Sequence, residues 1–407
     1  MIMTKLRLLM LATVFLVAAS PVVAQDSTDN AAATAEIPAT TIKEPESHFM
    51  MVGLVTFGYV DQRVTNTLGG MKTSSRDNSL GDADRYEFSP MFLWRHGDKL
   101  LMEFEPSFDG ANLGVNWADV AYFVRPGLII KGGYLVLPFG TYNKRLAAGW
   151  INKLPSDPIG TDIAGSDFGV ELEGGLPLGN MKFSYDVSIS NGLQLNNDGT
   201  ISGVGINAAG NGKTVCGRVG LLPFSNSSLE IGLSGLYGAL ATPAGATFGN
   251  TNPTSTKGPY VSMYAIDLNY VKTLSPVQVN LKAQYSATMV DAANYLNPND
   301  STQTYTFNNV TTAAFGQVSV RPVQAKGIAR NFELAYRYVN YTAPKNSTWG
   351  QNYNESDISL DYWLSWRTVL KAGYEIIRTN GTSSEAIAGA QGSTDINRLI
   401  IQFSTEF

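Results

Sequence analysis

From Phe49 to the end of the chain, apolar residues recur at every second position in stretches of about ten residues, and no other feature limits the fold as strongly. Leu100, Met102, Phe104, Pro106 and Phe108 alternate with Leu101, Glu103, Glu105, Ser107 and Asp109. Phe168, Val170 and Leu172 alternate with Asp167, Glu171 and Glu173 in the same way, and Met181, Phe183, Tyr185, Val187 and Ile189 with Lys182, Ser184 and Asp186. Successive side chains on a strand point to opposite faces, so each stretch has one apolar and one polar face.

Sixteen such stretches can be counted, near 49–60, 84–95, 100–109, 115–125, 128–139, 166–175, 179–190, 213–223, 228–239, 258–272, 277–290, 307–320, 330–341, 355–364, 367–378 and 396–407. The connections between them alternate in length. Turns such as Pro126–Gly127 and Ser365–Trp366 are short; the Asn-, Thr-, Ser- and Gly-rich segments 61–83, 140–165, 191–212, 240–257, 291–306, 342–354 and 379–395 are long. Tight turns at one end and large loops at the other are the pattern of a transmembrane antiparallel β-barrel. The expected fold is therefore all-β, a barrel of about 16 strands spanning 49–407.

A soluble β-sandwich would alternate too, but it turns its apolar faces inward. Composition decides between the two. Charged residues make up only 15% of the chain, and there are 19 tyrosines, 18 phenylalanines and 6 tryptophans. Many of the scarce charges fall mid-strand on the non-apolar face, where a dry core could not hold them all. Aromatics crowd the strand ends: Trp94, Phe123, Phe224 and Trp366 beside short turns, and Tyr59, Phe139, Tyr237, Tyr260 and Tyr341 beside long loops. Paired aromatic girdles at the two borders of a bilayer are the physical reason to expect this. Past the N-terminus no run approaches the ~20 apolar residues of a membrane helix. With 29 basic against 34 acidic residues, a nucleic-acid partner is not expected. A single cysteine excludes an internal disulfide.

The two ends carry addresses. Lys5 and Arg7 precede the apolar run Leu8–Ala19, then Pro21 and small residues up to Ala24. That order is a secretory signal peptide over 1–24. The segment 25–48 is polar and aperiodic and reads as a disordered periplasmic tail. At the other end the chain stops on Phe407, with Phe403 and Ile401 on the same face; a terminal aromatic after alternating apolar residues resembles the signal that outer-membrane proteins present to the barrel-assembly machinery. Bilayer lipid and lipopolysaccharide are the expected surroundings.

Catalytic chemistry has little to work with. His48 lies before the first strand and His96 in a short turn, so neither is placed as a base for a nucleophile at the rim or mid-membrane. Cys216 stands without a neighbouring His and reads as a small apolar residue. No enzyme activity, cofactor or metal is expected; Asp157, Asp162 and Asp167 read as loop carboxylates rather than a Ca²⁺ site. The segment 140–165 differs from the other loops. It carries Leu146, Ala147, Trp150, Ile151 and Leu154 together with Lys144, Arg145, Lys153, Asp157 and Asp162. A loop held in water has no use for Trp and Ile; one folded into the barrel packs them on the wall and sets its charges where the channel is narrowest.

The runs GGYLVLPFGTYNKR, WINKLPSDP, GSDFGVELEGG and YDVSISNG resemble porins of the phosphate-selective (O/P) type and their relatives. The matching positions are Pro138, Phe139 and Gly140 at the strand end before the inward loop, then Gly169, then Asn191 and Gly192. The resemblance implies a sixteen-stranded, usually trimeric, passive channel with an inward constriction loop. The inward-facing wall expected from the strand rhythm comprises Arg85, Glu103, Glu105, Asp119, Glu171, Glu173, Arg218, Lys282, Arg337 and Lys371. Its bases are mixed with acids and form no basic ladder, so phosphate selectivity does not carry over. The expected function is an outer-membrane diffusion channel for small hydrophilic solutes or ions, working as a homotrimer. The competing readings are a fatty-acid-type hydrophobic transporter and a non-transporting barrel that acts as adhesin or scaffold.

Overall fold

The computed structural model describes residues 46–80, 86–142, 144, 149, 151–160, 165–203, 212–241, 258–297, 300–381 and 392–407. The signal-peptide segment, the tail up to residue 45, and Arg85, Arg145 and Asp162 lie outside the described residues. The fold is all-β, a closed antiparallel barrel of sixteen strands. Strand β1 is Ser47–Leu68, and β2 runs in two segments, Met71–Leu80 and Glu87–His96. Next come β3 (Leu100–Phe108), β4 (Leu113–Arg125), β5 (Leu128–Val136), β6 (Ser166–Leu178), β7 (Met181–Ser190) and β8 (Thr214–Leu222). The second half is β9 (Leu229–Ala239), β10 (Tyr260–Leu274), β11 (Val277–Val290) and β12 (Val310–Arg321). It ends with β13 (Phe332–Thr342), β14 (Gln351–Trp363), β15 (Thr368–Gly381) and β16 (Gly392–Glu406).

One end of the barrel carries the tight connections 97–99, 126–127, 179–180, 275–276 and 364–367, and the other the long loops 137–165, 191–213, 240–259 and 291–309. Of the segment 61–83, expected as a loop, residues 61–80 instead continue β1 and form the first part of β2 as a hairpin, with Tyr59 opposite Leu80 and Leu68 opposite Met71. Its tip is Gly69–Gly70, at φ +55° and +82°, a left-handed pair that side-chain-bearing residues adopt only with strain. The first part of β2 is exposed on both faces, which is why no alternation marked it.

The two faces of the barrel differ in chemistry. Leu172, Ile189, Leu233, Ile266, Leu334 and Leu360 point outward and are each 44–55% exposed. Their strand neighbours Glu171, Ser188, Ser234, Asp267, Glu333 and Ser359 point inward and are buried. A continuous outward apolar band of this size is far beyond what a soluble monomer leaves in water. Aromatics cap it at both ends: Phe224, Trp366 and Phe407 near the tight turns, and Tyr237, Tyr264 and Tyr338 toward the loops. Two residues depart from the expected outer ring. Phe139 is buried in an internal apolar cluster, and Tyr341 turns inward against Gly160 of the long loop.

Closure comes from β1 and β16, which pair from Leu54 opposite Glu406 to Leu68 opposite Gly392. Beyond the last rung the Phe407 N–H donates to the Gly53 carbonyl (3.1 Å), and the Gly53 N–H donates to the Phe407 carbonyl (3.2 Å). The terminal ring lies over Gly53, where a Cβ would come within 2.5 Å of it, and stacks on Phe88 at 6.3 Å. Phe403 sits in register between Phe57 and Leu370.

The facing of the barrel can be tested at mid-strand. Leu233→Arg should cost about 2–4 kcal/mol of folding stability in phosphatidylcholine vesicles, the depth-dependent penalty for a cation on a lipid-facing position. Equilibrium refolding read by tryptophan fluorescence measures it, and a neutral effect would mean the outward face does not meet lipid.

Candidate functional site

The lumen is occupied by the segment between β5 and β6. Its base is closed by the Leu137 N–H on the Gly165 carbonyl (3.0 Å). From there the chain turns inward at Gly140, φ +66°, where a Cβ would overlap the Gln284 side chain at 2.5 Å. The Gly140 N–H donates to Ser234 Oγ (3.0 Å) and the Thr141 N–H to Gln284 Oε1 (2.8 Å), so the loop reaches β9 and β11 at once. Tyr142 then packs on Phe315 and Val339 of β12 and β13, together with Ile151 and Ile159. The other motif glycines are also places where no side chain fits. A Cβ at Gly169 would meet the Ile189 carbonyl at 2.4 Å; Gly192, at φ +112°, presents its N–H to Asp167 (2.6 Å).

Three wall cations hold the next stretch by its carbonyls. Lys282 Nζ donates to the Ile151 carbonyl (2.9 Å), and Lys371 Nζ to those of Asn152 (2.7 Å) and Leu154 (3.2 Å). Arg337 donates through Nη1 to the Ser156 carbonyl (2.9 Å) and through Nη2 to Ser156 Oγ (2.8 Å). Its guanidinium also pairs with Asp357 (2.7 Å) and Glu355 (2.9 Å), all three side chains being buried. Gln402 Nε2 donates to the Pro155 carbonyl (3.3 Å), and Pro155 seats on Gly373, whose missing side chain makes the space.

The loop's own described cations are paired too. Lys144 reaches the opposite wall, 2.6 Å from Glu171, 3.2 Å from Glu173 and 3.8 Å from Asp186. Burial works against its charge, but Glu171, Asp186 and Glu173 outweigh that and raise its pKa above the ordinary lysine value. Lys131 joins the same cluster, 3.3 Å from Glu173 and 3.8 Å from Glu103. Lys153 lies 3.8 Å from Glu333 and over the Trp363 ring at 4.3 Å. Burial holds its pKa below the usual lysine range, against the pull of Glu333 and Asp361. On the third side Arg218 pairs with Glu230 (2.9 Å) and Asp267 (2.6 Å), in a space left open by Gly232.

A further part of the interior is apolar, which sequence reasoning missed. Cys216, Leu236 and Met263 face inward from β8, β9 and β10, and Leu193, Leu195, Tyr295 and Phe307 of the loops after β7 and β11 pack on them. Leu137 and Phe139 join this cluster at the root of the inward loop. The signal was present as paired apolar residues inside loops otherwise rich in Asn, Thr and Gly. Two carboxylate triads, Glu171–Glu173–Asp186 and Glu355–Asp357–Glu375, bring oxygens within 4.8 Å of one another. Both are met by basic side chains, Lys144 in the first and Arg337 with Arg398 in the second.

Among the described residues, open space lies between the loop and β1–β3. A cavity of about 170 Å³ is bordered there by Thr56, Glu87, Ser107 and Asp109 on the wall and by Gly149, Asn152 and Asp157 on the loop. Glu105 and Asp119 are inward on β3 and β4; Asn116 Nδ2 donates to Glu105 (2.8 Å) and also to Glu87 (3.3 Å).

A sixteen-stranded barrel with a loop folded into its lumen is the architecture of outer-membrane porins, and solved outer-membrane channels are similar to this chain in fold. The anion-selective porin from Comamonas acidovorans superposes with a TM-score of 0.52 at 13% identity, over 89% of this chain and 100% of that one. The outer-membrane channel DcaP of Acinetobacter baumannii gives 0.53 at 11% identity, over 89% and 97%. No protein-family model matches the sequence, and no curated protein matches it.

Removing one partner of a buried ion group leaves the others uncompensated. Arg337→Met should therefore cost about 3–5 kcal/mol of barrel stability, since it strands Asp357 and Glu355. Lys144→Met should cost less, because Lys131 remains beside Glu173. Guanidinium unfolding in detergent micelles would rank the two, and equal, negligible losses would show that the loop is not held by these contacts.

Proposed function

We propose that the protein is an outer-membrane porin, a water-filled channel through which small hydrophilic solutes or ions diffuse down their gradients. One observation carries the reading: a loop crosses the lumen, is fixed to the far wall through Lys282, Arg337 and Lys371, and leaves a polar cavity beside it rather than a dry core. Transport of this kind needs no catalytic group. It needs a rigid aperture whose size sets the cutoff and whose wall charge biases what enters. The clamp supplies rigidity, because bonds from fixed strands to successive carbonyls leave the loop no soft direction across the lumen.

The polar lining of the cavity argues against a fatty-acid-type route, which requires an apolar path. The signal-type N-terminus, the tail over 25–48 and the terminal Phe407 fit export and insertion by the barrel-assembly machinery, with lipopolysaccharide around the loop end. A homotrimer completes the proposal, in keeping with the family resemblance.

Purified protein in planar bilayers should show ohmic single-channel steps. Deleting 143–158 should enlarge the unitary step, since it removes the obstacle and leaves the sixteen strands intact. A silent protein, or an unchanged step after deletion, would overturn the reading; cross-linking in detergent tests the trimer.

A further inference from the structure

We propose that the passage beside the loop selects cationic solutes, alkali ions and small organic ammonium compounds, with Asp157, Glu87 and Asp109 as its specificity-determining residues. This rests on the porin reading above and adds the sign of the selectivity and the groups that set it.

The first observation is on the loop. Between Asn152 and Pro158 the chain is packed against the wall, and Asp157 alone is exposed. Its carboxylate is turned to the cavity, held by the Tyr142 hydroxyl and by Asn152 Nδ2 at 2.9 Å. The second is on the facing wall. Glu87, at the start of the second β2 segment, accepts from Ser89 (2.5 Å) and Asn116 (3.3 Å). Asp109, at the end of β3, accepts from the Asn112 and Ala111 N–H groups (2.6 and 2.9 Å) and from Asn112 Nδ2 (3.0 Å). Among the described residues no lysine or arginine pairs with any of these three carboxylates.

Neutral donors hold a carboxylate in its ionised form without cancelling its charge. At Asp109 the Asn112 side chain, with the backbone of Asn112 and Ala111, keeps the carboxyl below the ordinary aspartate range. Among the described residues, the nearby cations are engaged elsewhere: Lys131 and Lys144 in the Glu171 cluster, Arg337 on Glu355 and Asp357, Arg218 on Glu230 and Asp267. Lys371, the cation bordering the cavity among the described residues, turns its ammonium to the Asn152 and Leu154 carbonyls and stands in register with Asp361. Three carboxylates that form no ion pair among the described residues border this cavity, with Asp157 also within the fields of Arg337 and Lys371. An ion beside them lies within one Debye length, about 10 Å at 0.1 M salt. Low-dielectric walls focus that field along the path.

The test is a reversal potential in a KCl gradient, measured on the full-length protein in neutral planar bilayers. Wild type should favour K⁺ over Cl⁻, and the ratio should shrink as salt is raised. The triple variant Glu87→Gln, Asp109→Asn, Asp157→Asn should lower the permeability ratio about threefold or more while the unitary step persists. If the triple variant fails to insert, Asp157→Asn alone carries the test, because its amide keeps the bond to Tyr142. Open channels with a reversal potential at zero, on the anion side, or unmoved by the substitutions would overturn the proposal and leave the porin reading standing. Absence of any conductance would instead remove the porin reading, and this inference with it.

Discussion

The carbonyls of Ile151, Asn152, Leu154 and Ser156 face the wall of β11–β15, and the shape of the lumen depends on their finding donors. A backbone acceptor buried without a partner costs about 1–3 kcal/mol, so four of them would push the loop back toward solvent. Lys282, Lys371 and Arg337 answer that need with charged donors, which make the shorter and stronger bonds. A buried cation in turn needs an anion. Arg337 brings Asp357 and Glu355, and Lys371 stands across from Asp361. Much of the charge on β13–β15 thus follows from one requirement, a loop that lies inside the barrel.

Strand existence was legible in the sequence because one physical quantity, the side-chain period, reports it directly. All sixteen strands lie where alternation places them, from Met102 and Phe104 outward on β3 to Leu399 and Ile401 on β16. The failures share a cause. The Met71–Leu80 arm of the hairpin is exposed on both faces, so residues such as Lys72, Ser74 and Arg76 carry no periodic signal. Phe139 lies past the end of β5, where alternation stops, while Tyr341 keeps the inward parity of Arg337 and Val339 despite its girdle-like place; both turn inward to meet loops.

The candidate site was legible only by side, not by partner. Strand parity put Lys282, Arg337 and Lys371 on the inner face, but nothing along the chain shows that they bind carbonyls more than a hundred residues away. Lys144 and Lys153 stood out as loop charges; their pairing with Glu171 and Glu333 depends on how far the loop crosses, which is a tertiary fact. The apolar cluster around Cys216 and Tyr295 was hidden for a related reason, being assembled from four loops and four strands.

Taken by sector, the interior divides its labour. The apolar cluster lies on the side of β8–β11, at its loop end. The clamp fills the side of β11–β16 with the loop itself, and its cations are consumed in doing so. A polar cavity lies along β1–β3, where Glu87 and Asp109 hold neutral partners. Anchoring the loop by cations therefore has an electrical consequence. Each base committed to a carbonyl or a buried carboxylate is withdrawn from the aperture, and the carboxylates at the opening keep their field. Aperture size and aperture sign come from the same set of contacts, so the loop cannot be re-seated on neutral donors without altering both.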